Sequence, residues 1–209
     1  MKKALKIVAA AAMLAVTASS AQAQLVTGTA TGCFTASASG CAPTSSASTS
    51  YLGLTYFSSS FSDLTNSFGI VNFGGNGATD GTNFNNFGSF NLSNTAFVYG
   101  NPNAPTEFFT LMLSFTSPGT GSTTFTGSVT GEVTATTGGG VTVNFANNDF
   151  QSVAGTNISA RVNDVDINSG QTIAASGAVT ATPEPASMIL LGTGLVGMFG
   201  IARRKKNKV

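Results

Sequence analysis

Phe109-Thr110-Leu111-Met112-Leu113-Ser114-Phe115 sets apolar residues at alternate positions on one face and a mixed set on the other. Successive side chains of a strand point to opposite faces, so a period of two marks a half-buried β-strand. The following stretch repeats it: Phe125, Val129 and Val133 alternate with Thr124, Thr126, Ser128, Thr130, Glu132 and Thr134, with Gly127 and Gly131 on the apolar side. Gly138-Gly139-Gly140 reads as a turn, after which Val141, Val143 and Phe145 alternate with Thr142 and Asn144. Ile158, Ala160 and Val162 continue the pattern, as do Ile173, Ala175 and Val179. No stretch between Gln24 and Thr182 sustains a 3.6-residue period. Such runs, divided by Gly, Asn and Ser, predict an all-β fold: an antiparallel β-sandwich, jelly-roll-like.

Two regions are less regular. Between Ser67 and Asn94, Phe68, Phe73, Phe84, Phe87 and Phe90 stand among Gly and Asn without a fixed spacing, which fits short strands or a long loop and no tandem repeat. Residues 35–50 are rich in Ser, Thr and Ala and are expected to form an exposed loop or tether. The organisation that results is a leader at 1–23, a Ser/Thr-rich segment at 24–50, a β-sandwich domain at 51–182 and a distinct tail at 183–209.

Charge is segregated to the ends. Lys2, Lys3, Lys6, Arg203, Arg204, Lys205, Lys206 and Lys208 are eight of the nine bases. From Gln24 to Thr182 the one base, Arg161, faces Asp63, Asp80, Glu107, Glu132, Asp149, Asp164 and Asp166, and one minus seven gives −6. A surface of that sign repels phosphate backbones, so nucleic acid is excluded as a partner.

The first 23 residues have the three parts of a secretory signal peptide: Lys2, Lys3 and Lys6, then apolar Ile7 to Val16 as a short signal helix, then Ala21-Gln22-Ala23. Ten apolar residues are too few to span ~30 Å of hydrocarbon, so signal peptidase is expected to cut after Ala23 and leave Gln24 first. The tail is also tripartite. Pro183-Glu184-Pro185 holds the backbone extended. The uncharged run Ala186 to Ala202, about 25 Å long as a helix, can just cross a bilayer as a transmembrane helix. Arg203-Arg204-Lys205-Lys206 follows, and cations beside a span stay cytoplasmic, which puts the β domain outside.

A Pro-Glu-Pro element, a short apolar helix and a basic end resemble the PEP-CTERM sorting signal. The resemblance covers residues 182–209 alone. It implies that Pro183, Glu184 and Pro185 are read by an exosortase-type transpeptidase. It further implies a passage from an inner-membrane-anchored intermediate to the cell surface or extracellular matrix, in bacteria that make exopolysaccharide. No Leu-Pro-x-Thr-Gly sequence is present.

The exported domain carries few groups for chemistry. Cys33 and Cys41 are the only cysteines, and an oxidising compartment favours a disulfide between them. The sequence has no His, which removes Ser-His-Asp and Cys-His machinery in their usual forms. Asp164 and Asp166 are the closest acidic pair and fit a solvated strand edge better than a glycosidase pair. Asp164 to Gly170 departs from a calcium loop in its Gly position and in having Ala175 where a Glu is required. Gly74-Gly75-Asn76-Gly77 with Asp80 departs from a calcium-binding nonapeptide repeat, occurring once with its Asp one residue late. Gly192 to Gly197 spells a dinucleotide fingerprint inside the apolar tail, without a preceding strand. Asn91-Leu-Ser93 and Asn157-Ile-Ser159 match a glycosylation sequon.

No cofactor or metal is therefore expected, and no catalytic residue. The expected role is that of a non-enzymatic structural or interaction protein of the envelope or matrix. The alternative is a carbohydrate-binding or adhesive module associated with exopolysaccharide, with Tyr51, Tyr56 and Tyr99 as the aromatic side chains that would stack on sugars.

Overall fold

A computed structural model describes residues 23–75, 84–99, 107–134, 138–146 and 149–181. The leader and the tail, with their expected helices, lie outside these residues. Within them the chain is all β and antiparallel in every paired strand, with one isolated parallel bridge between Ser60 and Phe84. The strands are β1 (Leu25–Thr35), β2 (Ser48–Tyr51), β3 (Leu54–Phe57), β4 (Ser59–Leu64) and β5 (Ile70–Phe73). Then come β6 (Ser89–Leu92), β7 (Phe97–Tyr99), β8 (Glu107–Ser117), β9 (Gly121–Thr134) and β10 (Gly138–Phe145). The last are β11 (Gln151–Ser152), β12 (Ile158–Val162), β13 (Val165–Asn168), β14 (Thr172–Ala174) and β15 (Gly177–Ala181).

A seven-stranded sheet runs β13-β10-β9-β8-β1-β4, with β7 also on β9. Two four-stranded sheets, β11-β12-β15-β5 and β14-β6-β3-β2, complete the fold. A jelly roll divides eight strands between two sheets, so sheets of seven, four and four depart from that expectation. Each small sheet is tied to the large one by its own group of rings. Phe61 on β4 lies 4.9 Å from Phe73 on β5 and 5.5 Å from Phe115 on β8, with Phe87 at 5.3 Å. Phe109 on β8 lies 4.8 Å from Tyr56 on β3 and 4.9 Å from both Phe90 on β6 and Phe34 on β1. Centroid separations of this size with tilted planes are the favoured aromatic geometry.

The alternating runs at 109–115, 125–133, 141–145 and 158–162 become β8, β9, β10 and β12, with their apolar faces buried. Three details differ from the sequence reading. First, β1 lies between β8 and β4 in the large sheet, so the folded unit begins at residue 23 instead of at 51. Second, Gly138 to Gly140 open β10 and do not form the turn. Gly139 adopts φ 140°, and a Cβ there would collide with the Glu132 carbonyl, so a turn-like composition serves a close strand approach. Third, the run from Ile173 to Val179 breaks after Ala174, with β14 in one small sheet and β15 in the other.

Candidate functional site

The described chain ends in β15, whose residues Gly177, Ala178, Val179 and Ala181 are buried. β15 is an inner strand: Ala181 pairs with Ile158 on one side, and Thr180 with Ile70 on the other. The Ala181 amide donates to the Gly69 carbonyl at 2.8 Å. Gly69 belongs to a tight turn held by Asn66, whose side-chain oxygen accepts from the amides of Phe68 and Ile70. The start of the fold is at the same place. The Thr65 amide donates to the Gln24 carbonyl, and the Gln24 amide donates to the Thr65 hydroxyl. Gln24, the residue expected to follow signal cleavage, is thus tied into the fold, while Ala23 is exposed. The chain enters and leaves the domain at one pole, and Pro183, two residues past Ala181, lies outside the described residues with Glu184 and Pro185.

The disulfide joins Cys33 and Cys41, with Cα atoms 6.2 Å apart. Cys33 lies on the outward face of β1, and the Cys41 amide donates to the Thr110 hydroxyl on β8. The bridge therefore clamps the loop of residues 36–40 over the outer face of the large sheet and accounts for the burial of Thr110. In the chain-entropy account, closing so short a loop is worth at most about 2–3 kcal/mol. Residues 36–47 are largely exposed, as expected of a loop, but the loop is shorter than the 35–50 read from the sequence: Thr35 ends β1, and Ser48 to Ser50 pair with β3 as part of β2.

Asp164 and Asp166 hold local structure. An Asp164 carboxylate oxygen accepts from the Phe145 amide, and one of Asp166 accepts from the Thr142 hydroxyl. Both bonds tie the edge strand β13 to β10, and Val165 and Ile167 are buried between them. Among the described residues no group of three or more acidic, Cys or His side chains could hold a metal ion. The Gly74-Gly75 turn is described only up to Gly75, so Asp80 falls outside, as does the Gly192 to Gly197 segment. The Asn91 amide nitrogen donates to the Thr172 hydroxyl across to β14, whereas Asn157 is exposed.

The three tyrosines do not form an exposed platform. Tyr56 is fully buried and its hydroxyl donates to the Phe87 carbonyl at 2.9 Å. Tyr99 is 3% exposed and donates to the Leu52 carbonyl. Tyr51 is half-buried and stacks on Phe34 at 6.2 Å. Sequence reasoning did not foresee Glu107, which is 2% exposed at the start of β8 and bonded by the Tyr51 hydroxyl. Burial raises the Tyr51 pKa, and the Glu107 charge raises it further. Burial pushes Tyr99 up to about 12 and Tyr56 well above the ordinary tyrosine value. A raised folded-state pKa means stability that is intact below the unfolded value near 10 and is lost as pH climbs through the folded one. Alkaline difference spectroscopy is accordingly expected to show little tyrosinate at pH 10, then a rise toward pH 12 that coincides with loss of β-sheet circular dichroism. Normal titration centred on pH 10 with the sheet intact would contradict the buried positions of Tyr56 and Tyr99.

Residues 181–206 match the PEP-CTERM protein-sorting motif. The match starts on the last residue of β15 and covers the tail expected to carry the sorting signal. It marks an exported, cell-surface-directed chain and implies processing by an exosortase. No curated protein and no solved structure matches the chain.

Proposed function

We propose that the protein is a non-enzymatic structural or interaction component of the cell envelope or extracellular matrix. Its β-sandwich is displayed outside, and its ends exist to deliver it. Signal peptidase removes residues 1–23, the helix at 186–202 anchors the intermediate, and the transpeptidase acts at Pro183-Glu184-Pro185. The observation that carries this reading is the abutment of fold and signal: the motif match begins at Ala181, where the last strand ends. Fractionation of an epitope-tagged chain in cells with and without the transpeptidase tests it. The tag should reach the surface or medium only when the transpeptidase is present, and an unchanged distribution would refute the reading.

One feature of the domain favours contact with exopolysaccharide as a second reading. On the outer face of the large sheet, Ser60, Thr29, Ser114 and Ser122 stand side by side on β4, β1, β8 and β9. Neighbours in such a row lie about 4.8 Å apart, giving a neutral row of hydroxyls. A hydroxyl both donates and accepts, so this face complements a neutral polyol polymer without a charge penalty. The buried Tyr56 and Tyr99 take no part in it.

A further inference from the structure

We propose that the pole where the chain enters and leaves the domain is a lipid-contacting face, which rests on the outer surface of the membrane that anchors the tail. The inference rests on the reading of residues 186–202 as a membrane span. Single exposed apolar side chains are ordinary and need no explanation. Here three converge. Leu25 and Leu64 are direct cross-strand partners at the ends of β1 and β4, and they are 47% and 56% exposed. Four residues beyond Leu64, Phe68 is 85% exposed at the tip of the Asn66 turn, the turn whose Gly69 accepts the Ala181 amide.

The surroundings suit a bilayer. The Ser117 hydroxyl donates to the Leu25 carbonyl, which puts the β8–β9 turn at this pole, and Gly119 in that turn abuts Thr156. Across residues 24–25, 63–69, 117–121 and 153–157 the sole charged side chain is Asp63, joined after signal cleavage by the α-amino group of Gln24 and, in the connection to the span, by Glu184. Glycine, serine, threonine and asparagine make up most of the remainder, and such a surface loses little on approaching lipid headgroups.

Covalent reach decides the occupant. Four residues, 182–185, separate Ala181 from the expected start of the span at Ala186. Fully extended, that connection covers roughly 17 Å. The headgroup zone takes up roughly 5–7 Å of it on each side of the hydrocarbon. The end of β15 thus stays within about 10 Å of the lipid surface for as long as the tail is attached. At that distance Phe68 reaches the interface where aromatic rings partition favourably. Three side chains without a basic patch give weak, reversible contact, so the face holds the domain down before tail removal and lets go after it.

The sequence contains no Trp, so Phe68→Trp introduces a single indole into the full chain. Val98→Trp serves as control: Val98 is 41% exposed and pairs with Glu132, roughly 36 Å along β9 from Gly121. Both full-length variants are reconstituted in phosphatidylcholine vesicles with brominated acyl chains and washed in alkaline carbonate. The proposal expects both to stay anchored, with Phe68→Trp emission blue-shifted and quenched by bromine and Val98→Trp emission neither. Anchored protein whose two indoles behave alike overturns the lipid contact and leaves the sorting reading intact. Release by carbonate removes the anchor and the contact together. A blue shift at Phe68→Trp that follows protein density and ignores bromine assigns the face to a second copy of the chain and overturns the lipid contact.

Discussion

Replacing Glu184 by Ala is expected to abolish removal of the tail while leaving membrane insertion unchanged. The substitution touches neither the apolar run from Ala186 to Ala202 nor Arg203 to Lys206, and these set span and orientation. It removes the one charged group from the Pro-Glu-Pro element in the matched motif. The variant should accumulate in the inner membrane with its basic end attached, and surface delivery should fall to background on immunoblots of separated fractions. Charge reversal at Arg203-Arg204-Lys205-Lys206 should act differently, by weakening stop-transfer so that the tail crosses the membrane. A plain tail anchor gives the opposite pattern, with Glu184→Ala silent and the charge reversal decisive.

The second large effect concerns the domain itself. Phe109→Ala is expected to cost about 3–5 kcal/mol, the range for deleting a fully buried aromatic side chain. Against the ~5–15 kcal/mol that separates folded from unfolded states, this removes a large share of the stability. Phe109 is the hub of one of the two ring groups: it meets Phe34, Tyr56 and Phe90 within 5 Å and Phe145 at 6.4 Å. The backbone is also shaped around it, because a Cβ at Gly32 on β1 would overlap the Phe109 ring. Urea unfolding followed by circular dichroism should show a lower midpoint with an unchanged slope. Phe68→Ala, at an exposed turn, should stay within about 0.5 kcal/mol of wild type. A loss below ~1 kcal/mol at Phe109 would mean that the sheet containing β3 and β6 does not pack on the large one.

The strands that could be read from the sequence are those whose inward positions carry large residues. β8, β9 and β10 show Phe, Leu and Val at alternate positions, and their faces and burial follow. β1 escaped for a physical reason. Its inward residues are Val26, Gly28, Ala30 and Gly32, and glycine at such a position leaves no apolar signal. The glycines are required because the Phe61 and Phe109 rings lie over them, and those rings come from distant parts of the chain. The same non-local packing explains the irregular stretch from Ser67 to Asn94. There Phe73, Phe87 and Phe90 are core and Phe68 and Phe84 are exposed, a division that spacing does not encode.

The Cys33–Cys41 bridge was legible because only two cysteines exist. Tyr56 and Tyr99 failed as sugar platforms because their hydroxyls found buried carbonyls, at Phe87 and Leu52, on other segments. Glu107 was unforeseeable, since an acid at the head of an alternating run reads as a solvated residue and its burial beside Tyr51 depends on tertiary structure. The tail was the most legible part. Its signal lies in composition and order along the chain, and recognition by a membrane enzyme needs no core.

If the tail is a temporary sorting signal, the intact mass of the surface form records its loss. Wild-type protein recovered from the cell surface or medium and measured intact should lack Arg203 to Val209, with its C-terminus at or near Pro183-Glu184-Pro185. In cells without the transpeptidase, the membrane fraction should hold the form ending in Val209. If surface-located wild-type protein still carries Val209, the tail is a permanent anchor and the account is wrong.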